Sequence, residues 1–182
     1  MELETIEILK NEKVSTIRLN RPDLLNAVNE QLVWDLQEAT QEVMNDEDTK
    51  VVILTGAGRG FSAGADLSER KASWSGSKDA LMRGYRPSFD NIINMPKPVI
   101  ASIPGPAAGI GAAFAMSCDL RVMSENAYLL SVFSNIALVP DGGLSWFLPK
   151  FMGYAKAYEH AIEAKKISAS DCLKYGIANK VV

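Results

Sequence analysis

Apolar and polar residues alternate from Thr5 to Lys10 and again from Val14 to Asn20, with the polar Asn11-Glu-Lys13 between, so the chain is predicted to open with a β-hairpin. The period then changes: Leu32, Val33, Leu36, Ala39, Val43 and Met44 recur at helical spacing behind Asn29, a good N-cap. Val51-Val-Ile-Leu-Thr55 and Val99-Ile-Ala-Ser-Ile103 are unbroken apolar runs and read as buried strands. Between them, Leu67 to Arg86 has no clear period and has the character of a lid; Pro87 is predicted to open a short helix carrying Phe89, Ile92 and Ile93, ended by Met95-Pro-Lys-Pro98. Further strands are predicted at Asp119–Met123, Ala127–Ser131 and Ala178–Val182, and helices at Gly142–Phe151, Tyr154–Ala164 and Ser170–Tyr175, the last closed by Gly176. With no linker or low-complexity tract, residues 1–182 are expected to form one α/β domain.

Each of the two buried strands runs into a loop of small residues. Pro104 and Pro106 stop the strand at Val99, and Gly105, Gly109 and Gly111 allow a tight turn before the helix-favouring Ala112-Ala-Phe-Ala-Met116. A helix starting at Gly111 has free backbone N–H groups in its first turn, suited to an anion or a developing oxyanion. Gly56-Ala-Gly-Arg-Gly60-Phe-Ser-Ala-Gly64-Ala-Asp66 is the second loop. Small residues alone equally suit a helix packed close on a sheet; two such loops after two strands can set two backbone donors around one oxygen.

Gly60-Phe-Ser-Ala-Gly-Ala-Asp66, Ile103-Pro-Gly-Pro-Ala-Ala-Gly-Ile-Gly111, Cys118-Asp119 and Leu138-Val-Pro-Asp-Gly-Gly143, with the opening Arg18-Leu-Asn-Arg-Pro-Asp-Leu-Leu-Asn-Ala27, resemble the enoyl-CoA hydratase/isomerase (crotonase) family over essentially the whole chain. The resemblance implies a superhelix of ββα repeats related to the ClpP/crotonase fold. It also implies a thioester carbonyl held by the backbone N–H groups of Ala65 and Ile110. Relatives usually carry glycine at the Ile110 position, and a β-branched residue there is expected to be hard to place. The CoA moiety is expected along Leu25, Ala27, Ala63, Gly64, Ala65, Asp66, Leu67 and Ser68, the substrate also against Gly109, Ile110 and Phe133, and the lining of the acyl end in the Leu67 to Arg86 segment and in the family's C-terminal helices. Asp66 is alternatively a helix cap. Where relatives often have a basic residue this chain has Asp23, so phosphate contacts fall to Arg21, Arg59 or Lys71, each of which also reads as an ordinary surface charge.

The two glutamates that hydratases of this family use to activate water correspond here to Ala113 and Phe133, neither of which can act as acid or base. Asp141 falls where the isomerases, including the ring-opening oxepin type, carry a single carboxylate. One carboxylate suffices to move a proton from the α to the γ carbon. Pro140-Asp-Gly-Gly143 is also an ordinary turn sequence in which Asp bonds its own backbone. Three functions follow: an enoyl-CoA isomerase, a hydratase with replaced glutamates, and a CoA-ester-binding protein without catalysis. No cofactor is expected, CoA being part of the substrate.

Composition narrows the classes further. A 47% apolar, 23% charged chain with net charge −3 gives no general attraction to nucleic acid or an anionic membrane. Cys118 and Cys172 fit neither a disulfide framework nor metal-ligand spacing, and His160, the only histidine, sits in an amphipathic helix. No metal site is expected, and an acidic start without an apolar signal core points to the cytoplasm. Gly56-Ala-Gly-Arg-Gly60 is not the G-x-G-x-x-G of a dinucleotide site. Family members continue into C-terminal helices that support a homotrimer or a dimer of trimers; that trimerisation segment is expected to be absent from this sequence.

Overall fold

The computed structural model describes residues 3–69 and 73–182. Strand β1 (Ile6–Asn11) folds back on β2 (Val14–Leu19) in antiparallel register, Ile8 facing Ile17, with Glu12 in the left-handed region at the turn. Helix α1 (Glu30–Asn45) begins at Asn29, whose side chain accepts the Leu32 N–H, and buries Leu32, Val33, Leu36, Ala39 and Val43. Asp35 is buried on the same face because the N–H groups of Glu4 and Thr5 and the Thr5 hydroxyl all donate to it, tying the N-terminal segment down.

Strand β3 (Val51–Gly56) adds parallel to β2, and β4 (Val99–Ile103) adds parallel to β3. The intervening stretch is helical from Ser77: α2 (Ser77–Asp79), a π-helical turn (Ala80–Tyr85) and α3 (Arg86–Ile93) run on without a break. Pro87 therefore sits in the first turn of α3 within an existing helix; its missing N–H is tolerated because the π turn ahead of it already loosens the hydrogen-bond ladder. Phe89 and Ile92 face the core, whereas Ile93 lies on the exposed side of α3.

The turn after β4 is shorter than its glycines imply. Pro106–Ala108 is itself a strand, β5, after which the fully buried α4 (Ile110–Ser117) begins. Strand β6 (Leu120–Met123) pairs with β4, and β7 (Tyr128–Leu130) pairs with β5. A 3-10 turn (Phe133–Ile136) leads to α5 (Leu144–Met152) and α6 (Tyr154–Glu163). Strand β8 (Lys166–Ser168), not predicted from the sequence, pairs antiparallel with β7. Helix α7 (Ala169–Lys174), with Gly176 left-handed just beyond it, and β9 (Lys180–Val181) complete the described chain. The strands form a sheet of order β1-β2-β3-β4-β6-β9 and a smaller one, β5-β7-β8. These are the expected ββα repeats; β4-β5 and β6-β7 each send one strand to either sheet, whereas β1 and β2 both lie in the larger one.

Asn26 joins the first turn to the loop after β3. It is fully buried and left-handed, accepts the Arg21 N–H and donates to the carbonyls of Ala57 and Gly60. Asn tolerates this conformation better than other side-chain-bearing residues, and its loss strands two buried carbonyls. Asn26→Ala is expected to lower the unfolding free energy by about 3 kcal/mol in urea titration; a loss under about 1 kcal/mol would remove Asn26 from this role.

Candidate active site

Residues 61–66 form an extended segment gripped on both sides. On one side, Ser62 N donates to Pro106 O and Ala108 N to Ser62 O. On the other, Val28 N donates to Gly64 O, Asp66 N to Val28 O, and Ala63 N to Leu25 O. Leu25 and Ala27 are thereby brought beside Ala63, Gly64, Ala65 and Asp66.

The same pairing frees the Ala65 amide. In a trans peptide the C=O and N–H point opposite ways, so the bond from Val28 to Gly64 O turns the Ala65 N–H away from Val28. It has no hydrogen-bond acceptor among the described residues. Nor has the Ile110 N–H, first in α4, where no intrahelical partner exists.

The two loops touch through positions that cannot carry side chains. A Cβ on Gly64, whose φ is +94°, would lie 2.9 Å from Ala108 O and 3.6 Å from the Gly109 Cα. A Cβ on Gly111 would meet the Ser62 Cβ at 2.5 Å. Ser62 is held in turn by donating to Asn26 O and accepting the Gly64 N–H. The positive φ falls on Gly109, at +51°, and Ile110 is not among the residues with positive φ. The expected difficulty of a β-branched residue at 110 does not arise: glycine takes the strained angle one position earlier, and Ile110 enters the helix normally.

Asp141 reaches this region through Gly142. A Cβ on Gly142 would lie 2.7 Å from the Ala113 Cβ, 2.9 Å from Ile110 Cδ1 and 3.1 Å from Phe89 Cζ. The Asp141 turn therefore rests on the first turn of α4, and helix α5 starts at Leu144 because Gly142 and Gly143 are both left-handed. One Asp141 carboxylate oxygen, Oδ1, is buried without a hydrogen-bond partner. Burial holds the carboxyl above its ordinary value of 3.8, its own backbone N–H opposing weakly. Phe133 is buried, its Cζ 4.0 Å from where a Gly109 Cβ would stand.

Leu67 and Ser68 are exposed, and the site opens to solvent on the side of Ala63 and Ala65. Asp66 caps no helix: it accepts Ser68 N–H and hydroxyl and pairs with Arg21 at 3.0 Å. Arg21 also donates to Ala27 O, so it braces the loop and is not free for a phosphate. Arg59 is exposed, and Lys71 lies outside the described residues. Asp119 Oδ2 accepts the Val99 N–H at the foot of β4, and burial pushes the Cys118 thiol up to about 12; both are structural. A cleft of about 690 Å³ lies between α3 and α5, walled by Phe89, Gly142, Gly143 and Phe147. It adjoins the Asp141 turn and does not include Ala65 or Ile110. Among the described residues no cluster of three or more His, Cys, Asp or Glu could hold a metal ion, and no helix is long and apolar enough to cross a membrane.

Two unpaired backbone N–H groups on paired loops, and a half-buried carboxyl on a turn that packs on the first turn of α4, are carried by a ββα superhelix. The family model described as enoyl-CoA hydratase/isomerase matches residues 9–182, and the chain belongs to that family. It is 36% identical over 173 residues to the 1,2-epoxyphenylacetyl-CoA isomerase of Escherichia coli K12, covering 93% of this chain and 66% of that protein. It is also 36% identical to the short-chain-enoyl-CoA hydratase of Clostridium acetobutylicum, covering all of this chain and 70% of that protein. A crystal structure of an enoyl-CoA hydratase from Mycobacterium avium subsp. paratuberculosis K-10 superposes with a TM-score of 0.90 at 31% identity, over 100% of this chain and 72% of that one. The chain thus spans about two thirds of the length of its curated relatives.

Two consequences are measurable. Alanine is favoured over glycine inside a helix by about 1 kcal/mol, yet Gly111→Ala is expected to destabilise the fold by about 1–3 kcal/mol, read by urea denaturation, because Ser62 leaves no space. Because the fold raises the Asp141 pKa, its contribution is favourable below the unfolded value and is lost as pH rises through the raised one. Asp141→Asn is therefore expected to be more stable than the parent at pH 7, the gap closing as pH falls toward 4; a variant less stable at pH 7 would contradict this.

Proposed function

We propose that the protein is an enoyl-CoA isomerase, shifting a double bond or opening a ring epoxide or oxepin in an acyl-CoA thioester. The thioester oxygen accepts hydrogen bonds from the Ala65 and Ile110 amides, which stabilise the enolate; one such donor is worth on the order of 10²–10³ in rate. Asp141 removes the α-proton and returns it at the γ carbon, so no water is consumed. The observation that carries the reading is the Asp141 turn lying directly on Ala113, with one carboxylate oxygen buried and unpartnered. Ala113 stands where a hydratase glutamate would be expected, and Gly142 fills the space above it. Phe133 at the other glutamate position adds only apolar wall.

The pantetheine of CoA is assigned to the exposed edge formed by Leu25, Ala27 and Ala63–Ser68, where a long polar ligand can lie across the paired loops. Assembly as a homotrimer or a dimer of trimers belongs to the same proposal. The exposed apolar side chains Val139, Tyr154, Tyr158 and Ile162, which line a groove along α5 and α6, support a protein contact there. A hydratase is the second reading, favoured by the equal identity to the Clostridium hydratase.

Mass spectrometry of 2-enoyl-, 3-enoyl- and ring-epoxide-CoA esters separates the readings: isomerisation leaves mass unchanged and hydration adds one water. Asp141→Asn is expected to retain CoA-ester binding and to lose about 10²–10⁴ in kcat. In the parent, kcat/KM should fall as pH drops through the raised Asp141 pKa, since only the ionised base accepts the proton. Undiminished turnover by Asp141→Asn would remove Asp141 from the mechanism; conversion of no ester would leave a CoA-binding protein.

A further inference from the structure

The π-helical turn Ala80–Tyr85 places a side chain for which the proposed chemistry has not yet accounted. Inserting a residue into a helical turn swings the following side chains round by about 100°. The turn is held from outside: Gln37 Nε2 donates to Gly84 O at 2.7 Å, and a Cβ on Gly84 would lie 2.9 Å from the Trp74 ring. Trp74 in turn packs on Trp34 of α1, ring centroids 5.3 Å apart. Pinned in this way, Tyr85 turns inward against α4, its ring 6.4 Å from that of Phe114. Phe114 stacks on Phe89 at 4.5 Å, and Phe89 borders Gly142, the neighbour of Asp141.

Tyr85 thus lies on the face of α4 that the Asp141 turn also covers, within electrostatic reach of Asp141. Tyr85 is half-buried, and its hydroxyl makes no hydrogen bond among the described residues, which leaves it open to a ligand. Burial, followed by the negative charges of Asp141 and then Glu69, pushes its ionisation up to about 12. The group is therefore a neutral donor at any working pH. Glu69 is already engaged, accepting the Glu30 N–H at the start of α1. The carbon chain of a plain enoyl thioester offers such a donor nothing to bond.

We propose that Tyr85 is a specificity-determining residue that donates a hydrogen bond to an oxygen carried on the acyl group, so that the site favours β,γ-epoxy thioesters over hydrocarbon enoyl thioesters. This rests on reading the site as an enolate-forming isomerase. Asp141 takes the α-proton; the electron pair forms the Cα–Cβ double bond as the Cβ–O bond breaks, and the pair from that bond goes to oxygen. Tyr85 holds that oxygen as its charge grows. The proton taken by Asp141 ends on it, giving a γ-hydroxy-2-enoyl thioester of unchanged mass. A site that bonds a substrate oxygen discriminates against an analogue lacking it, because only the oxygenated ester gains that bond.

The test compares the 182-residue chain with Tyr85→Phe on 3-hexenoyl-CoA and 3,4-epoxyhexanoyl-CoA, following the conjugated product and its mass. The variant keeps the ring packed on Phe114, and its thermal melt is measured alongside. The expected result is a fall in kcat/KM of at least about tenfold on the epoxy ester, with the hexenoyl ester within about threefold of the parent. An equal fall on both esters, or no fall on either, overturns the role of Tyr85 while leaving the isomerase reading intact. A parent that converts only the hexenoyl ester also overturns it. A parent that converts neither ester defeats the isomerase reading and this inference together.

Discussion

The site depends on two stretches of backbone coming closer than side chains permit. Gly64 lies against Ala108 and Gly109, and Gly111 against Ser62. Any Cβ at these points would force the loops apart and with them the amides of Ala65 and Ile110. The approach is maintained by a mesh of main-chain bonds to Val28, Leu25 and Pro106, and by Asn26 and Ser62, which are buried and bond only to backbone at this junction. Two unpaired N–H groups cost little where they face a ligand or water, and main-chain pairing alone fixes their orientation, as the proposed function requires.

Asp141 illustrates the tension between stability and the function proposed for it. A carboxylate oxygen buried without a partner is unfavourable, and burial raises its proton affinity. The turn that carries it tolerates this because Gly142 fits where only a glycine can, against Ala113 and Ile110.

Much of the architecture was legible in the sequence. The apolar runs at Val51 and Val99, the helical period behind Asn29 and the closing Gly176 each announce themselves within a few residues. The failures share a cause. Pro106–Ala108 and Lys166–Ser168 are strands of three residues whose only reason for being extended is a partner, β7, that is distant in sequence. The π turn before Arg86 likewise depends on Trp74 and Gln37 packing against it from other elements. Arg21 and Asp66 looked available for a ligand or a cap, but they are 45 residues apart and find each other only in the fold.

The sequence by itself determined the order of the longer elements, the family and the residue types available to the site, because periodicity, turn chemistry and motif spacing are local properties. It could not show which backbone amides remain free, since every residue but proline carries one and only long-range pairing decides which are used. Nor could it say that Ile110 escapes the strained angle, that one oxygen of Asp141 lacks a partner, or that Tyr85 faces the same side of α4. Those are facts of direction, and direction is set by what packs on the far side of each element.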